Sequence, residues 1–256
     1  MSTQRVVKKT VYAGGFAVVI VAAVLGLAAI VRTPAPVPLA TPTPVVATRP
    51  IVVEQVDVVR HQSSVDIVAR LRNPNALAGV KEYPITFVLL NSEQQEIVQH
   101  PVTTYLLPGS LQYVVAIGIP VGEVVTEVRV DIPPTPNFTE LPRGLDLPNF
   151  GSFERERALK PIGRLSYEEQ KGILRNNSTV DFNRVQVTAL ALDERAVVVG
   201  VGTTFLGALK VGEQREFTVQ WPEPARPTRR VVIFPSTNVF LEENIIRAIG
   251  DPSLLR

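Results

Sequence analysis

Val65–Asn73 reads VDIVARLRN, and its closing triplet Leu71-Arg72-Asn73 returns 103 positions later as Leu174-Arg175-Asn176. The matches continue in order. Phe87-Val88-Leu89-Leu90-Asn91 corresponds to Ala189-Leu190-Ala191-Leu192-Asp193, Gly109 to Gly212, Pro120 to Pro222, and Val130-Asp131-Ile132-Pro133 to Val232-Ile233-Phe234-Pro235. Thr135 and Phe138 correspond to Thr237 and Phe240. One residue of slippage over nearly seventy positions is the pattern of a duplicated unit of about 100 residues.

Each copy reads as strands. In Val65–Leu71 the side chains of Val65, Ile67, Ala69 and Leu71 alternate onto one face. Ile85–Leu90 is a dense apolar run, Asn91–Gln95 a hairpin connection and Glu96–Val98 the return; Val185–Leu192, Asp193–Arg195 and Ala196–Val201 repeat that arrangement. Pro108-Gly109 and Val211-Gly212 supply turns. Ser166–Leu174 has helical propensity, but its place opposite Val65–Leu71 in the repeat makes it a strand. Short strands with turns every 8–15 residues predict an all-β chain of two tandem immunoglobulin-like β-sandwich domains.

Phe87, Leu89, Leu90 and Asn91, with a glycine turn before the next strand, resemble the FxLyD domain, whose second-copy counterpart departs at Ala189 and Ala191 but keeps Leu192 and Asp193. Leu209–Pro222 is similar to that family's closing strand, and Asn73-Pro74-Asn75 resembles the NPN element of water-stress (WHy) and late-embryogenesis-abundant β-sandwiches. The resemblance spans about residues 65–240. It implies an immunoglobulin-like fold on an extracytoplasmic prokaryotic protein and brings no general catalytic activity with it.

The N-terminus has a different character. Thr10–Val31 carries no charge, and the 21 residues 11–31 would rise ~31 Å as a helix, the thickness of a hydrocarbon core. Arg5, Lys8 and Lys9 precede this stretch and Arg32 alone follows closely, which orients residues 1–10 to the cytoplasm and the remainder outside. The stretch exceeds the apolar region of an ordinary signal peptide, so an uncleaved signal anchor is expected; cleavage near Leu27-Ala28-Ala29 is the alternative. Residues 32–50 form a linker with six prolines, an extended spacer. The expected domains are 51–142 and 161–256, with 143–160 as connection or lead-in strand and a helical turn or two within Leu241–Ile249.

The formal charge of +2 belongs to the anchor flank. Residues 1–32 hold four basic side chains and no acidic one, leaving 22 basic against 24 acidic beyond them, a net of −2. No overall field draws nucleic acid, and no nucleic-acid partner is expected. With no cysteine there are no disulfides, thiolate metal sites or cysteine nucleophiles.

The two histidines, His61 near a strand boundary and His100 before Pro101, neighbour no nucleophile motif and read as exposed polar residues. Asn73, Asn75, Asn91 and Asp193 carry oxygens suited to calcium, but no loop of calcium-binding spacing contains them, and turn residues of this type satisfy their own backbone. Asn137-Phe138-Thr139 and Asn176-Asn177-Ser178 match the N-glycosylation pattern. Arg226, Arg229 and Arg230 form a basic cluster, the usual form of which is a solvated strand end.

No catalytic, cofactor-binding or metal-binding residue is therefore assigned. The expectation is a non-enzymatic, single-pass protein of the cytoplasmic membrane whose extracytoplasmic domains scaffold a protein partner of the cell envelope. An envelope enzyme or ligand-binding protein with a site in an interdomain cleft is one alternative. A structural subunit of a surface filament or secretion apparatus is another.

Overall fold

The structure, a computed structural model, describes residues 19–23, 48–163 and 165–246. The chain divides into Met1–Val46 and Ala47–Arg256. Of the expected anchor only residues 19–23 are described; they are helical and exposed. No helix among the described residues is long and apolar enough to cross a membrane. The rest of 11–31, and the linker as far as residue 47, lie outside the described residues.

Ala47–Arg256 is all-β. β1 (Val52–Arg60), β2 (Ser64–Arg72) and β5 (Leu111–Pro120) form one sheet in the order β1-β2-β5. β3 (Ala78–Leu90), β4 (Glu96–Leu106) and β6 (Glu127–Asp131) form another, β4-β3-β6, with β7 (Phe138–Glu140) paired to the start of β3. The pattern then repeats. β8 (Phe150–Ile162), β9 (Leu165–Asn176) and β13 (Gln214–Pro222) run β13-β9-β8, while β11 (Val185–Leu192), β12 (Val198–Leu206) and β14 (Arg230–Ser236) run β12-β11-β14. All these pairings are antiparallel. β10 (Asp181–Phe182) pairs with β15 (Ile245–Ile246).

Residues 143–160 are more than a connection, because β8 begins at Phe150 and is the lead-in strand of the second repeat. Ser166–Leu174 lies within strand β9, and the C-terminal helical turn is a single 3-10 turn, Glu242–Asn244, with residues beyond 246 outside the described ones.

Alternation explains where the cores sit. Val65, Ile67, Ala69 and Leu71 of β2 face Tyr83, Ile85, Phe87 and Leu89 of β3 in the first core. Leu174, Val187, Ala189, Phe217, Val219 and Trp221 fill the second. A third apolar layer joins them: Val59 and Val68 of the first repeat meet Leu190, Leu192, Val198 and Val201 of the second. Tyr113 and Phe234 add an edge-on ring pair 4.4 Å apart. The sheets β1-β2-β5 and β12-β11-β14 are thus apolar on both faces.

The repeat is also a repeat of hydrogen bonds. Asn73 Nδ2 donates to the carbonyls of Ala78 and Leu107, and Asn176 Nδ2 donates to those of Val180 and Leu209. Asn75 grips the incoming chain at both the N–H and the C=O of Arg49, and Ser178 does the same at Asn149. In the hairpins Asn91 Oδ1 accepts the N–H of Glu93 and Gln95, as Asp193 Oδ1 accepts those of Arg195 and Val197. The left-handed residue that closes each loop is Gln94 (φ 63°) in one and Ala196 (φ 60°) in the other.

The second repeat's departures have a volume explanation. A Cβ on Gly200 would lie 2.4 Å from Cδ1 of Trp221. Phe87 and Leu89 pair with His100 and Val98 in the first repeat; Ala189 and Ala191 pair with Gly202 and Gly200 in the second. Trp221, at the position matched by Ile119, occupies the space beside Gly200, while Val219 and Gln220 close on Gly202.

Candidate functional site

The polar residues singled out in the sequence are mostly consumed by the fold. Asn73, Asn75 and Asn176 are buried and spend their side chains on backbone groups, as does the partly buried Asn91. No cluster of three or more His, Asp or Glu among the described residues is placed to hold a metal ion. Asn176 is inaccessible to a glycosyl donor, whereas Asn137 is exposed.

His61 differs from its expected state. Its Nε2 lies 2.8 Å from Oδ2 of Asp66, a buried carboxylate whose Oδ1 accepts the N–H of Gly118 at 2.7 Å. This pair ties the β1–β2 turn to β5, and among the described residues no serine hydroxyl is hydrogen-bonded to the ring. His100 stands within β4, opposite Phe87.

The carboxyl of Asp193 is held below the usual carboxylate range, first by the N–H of Val197, then by that of Arg195 and by the charge of Arg226. Arg226 Nη1 is 2.5 Å from Asp193 Oδ2. Arg226 therefore belongs to the hairpin, and the basic cluster read along the chain divides in space.

Arg229 and Arg230 line an open groove of about 300 Å³ with Glu154, Arg155, Glu156 and Arg157 of β8, over a floor that includes Gln170 and Val231. β8 and β14 are edge strands of their sheets, so the groove is the open side of the second repeat. Gln170 is buried and its Nε2 donates to the carbonyls of Glu156 and Lys171, fixing the bulge between Glu154 and Glu156. Arg155 reaches Glu216 at 3.6 Å and Lys171 reaches Glu156 at 3.5 Å. Arg157, Arg229 and Arg230 enter no ion pair among the described residues. Arg155 and Arg157 escaped the sequence reading because they stand some seventy residues from Arg229; only the alternation Glu154-Arg155-Glu156-Arg157 hinted at them.

β8 is also conspicuously uncovered. It is 13 residues long and pairs with β9 alone, while Phe153 is 56% exposed and Leu159 53%. By contrast β1, its counterpart in the first repeat, packs against β12. Between the two cores there is apolar packing where an interdomain cleft was the alternative expectation.

No protein-family model matches the chain, and no curated protein matches it. Among solved structures it is similar to red sea bream transglutaminase, at 13% identity over 74% of this chain and 29% of that one, with a TM-score of 0.22. The chain thus spans under a third of that protein's length, and a likeness at this TM-score carries no argument about fold or activity.

Proposed function

We propose that this chain is a non-enzymatic, membrane-anchored interaction module, with residues 11–31 as a single-pass anchor and 51–142 and 161–256 as tandem immunoglobulin-like sandwiches outside the cytoplasmic membrane. One observation carries the interaction reading. The polar groups suited to chemistry are taken up in structural hydrogen bonds, while a 13-residue edge strand and its charged groove are left open. An unpaired edge is a ready template for another chain, and soluble proteins normally shorten or cover it. The apolar and uncharged run of residues 11–31 supports the anchor, and the excess of basic residues before it supports the orientation.

The test joins topology to capture. A reporter fused after Arg256 is expected to be active only in its extracytoplasmic form, and photo-crosslinkers on exposed positions of Ala47–Arg256 are expected to trap one recurrent envelope protein in intact cells. Reporter activity confined to the cytoplasm overturns the location. Turnover of an envelope polymer by the purified chain, with no protein trapped, overturns the non-enzymatic reading.

A further inference from the structure

We infer that the free edge of β8 accepts an extended acidic peptide segment, whose carboxylates are received by Arg157, Arg229 and Arg230; this deepens the interaction reading and rests on it. Three observations converge on the groove. The outer edge of β8 has no paired strand among the described residues, so its N–H and C=O groups are available to an added strand. Phe153 and Leu159 stand more than half exposed on opposite faces of β8, where an added strand would cover part of each. The groove beside that edge holds three guanidiniums with no ion pair against one such carboxylate, Glu154.

Charge decides the class of occupant. A guanidinium receives a carboxylate through two parallel hydrogen bonds, while a second basic segment would meet repulsion from three sides. A second copy of β8 is disfavoured on the same ground, because each copy brings its own excess of arginine into the shared groove. The backbone supplies register through strand pairing, and the arginines select sequence by requiring acidic residues on the face turned toward β14. Arg157 lies on that face, since it sits opposite the buried Gln170.

The experiment uses the full-length chain in detergent and a labelled eight-residue peptide of alternating threonine and glutamate, followed by fluorescence anisotropy. Saturable binding is expected, weakened about 3- to 10-fold by each of Arg157→Ala, Arg229→Ala and Arg230→Ala and further by raised salt. A peptide with proline in place of every threonine loses strand donors and is expected to bind at least ~10-fold more weakly. Because the three arginines are exposed, unchanged melting curves establish that the variants fold.

Equal binding of the proline peptide, or competition by inorganic phosphate at the same concentration as the peptide, would reduce the groove to an unspecific anion site and overturn the inference. So would indifference to all three arginine variants, or preference for a lysine-containing peptide. A disulfide-linked dimer of Glu156→Cys in the otherwise cysteine-free chain would assign the edge to a second copy instead. Capture in cells through the outer face of the β4-β3-β6 sheet, with none through β8, would sink this inference and leave the interaction module standing.

Discussion

Asp193 and Asn91 occupy equivalent hairpins and accept equivalent pairs of backbone N–H groups, yet only Asp193 carries charge. The folded state holds the Asp193 carboxyl below its ordinary range, so the unfolded chain binds a proton more readily there as pH falls. Its contribution is therefore complete above the unfolded value of about 4 and is lost as pH drops through the folded one. Asp193→Asn keeps the acceptor for both N–H groups, as Asn91 demonstrates, and gives up the attraction to Arg226. The variant is expected to be less stable than the parent at neutral pH, with the difference shrinking from pH 6 to pH 2 in urea unfolding. A difference that stays constant across that range would remove charge from the account. Glu54, Glu96, Asp131 and Glu213 are lowered in the same direction, so the parent's own stability is expected to fall with them in acid.

At the scale of elements, the second repeat tests how a strand pair can drift in sequence and keep its core. β11 and β12 are thinned to Ala189, Ala191, Gly200 and Gly202, and β13 closes in with Trp221 against Gly200 and Val219 against Gly202. Gly200→Ala sets a methyl against a rigid indole whose Nε1 is held by Glu168 at 3.0 Å, and is expected to cost about 1–3 kcal/mol. Trp221→Ile alone leaves a cavity, and adding Gly200→Val, the combination of the first repeat, is expected to recover part of the loss in a double-mutant cycle. Additive losses would show that the two sites do not share one space. This exchange explains what was legible in the sequence. The order of matches and the alternation in Val65–Leu71 exposed strands and hairpins, because backbone pairing demands them from each strand separately. The trade between Trp221 and Gly200 was not legible, since its members lie on different strands. Asp66 was hidden for a similar reason: it alternates as an outward polar residue, but its face is covered by the second repeat and its two carboxyl oxygens meet His61 and the N–H of Gly118. The groove joins β8 to β14 across a distance in sequence that no local pattern spans.

For Ala47–Arg256 as a whole, the polar and apolar faces of the four larger sheets decide how cooperative it is. The outer face of β4-β3-β6 carries the solvated network of Glu96, Arg129 and Asp131, and that of β13-β9-β8 carries Glu156, Lys171 and Glu216. The two inner sheets instead bury Val59, Val68, Leu190, Leu192, Val198 and Val201 between them. Apolar area shared by two cores makes the opening of either one expose the other, which couples them. Trp221 is the single tryptophan and lies in the second core, so its fluorescence reports that core alone, whereas far-UV circular dichroism reports every strand. The two probes are expected to give coincident unfolding transitions for the parent chain in mild detergent. Leu190→Ala removes a buried side chain from the shared layer without touching the second core's own cluster, at a cost of about 2–5 kcal/mol. Its transitions are expected to separate, with tryptophan fluorescence and circular dichroism reporting different midpoints. If the variant's midpoints shift together by the same amount, the layer contributes stability without being the link that makes the two cores unfold as one.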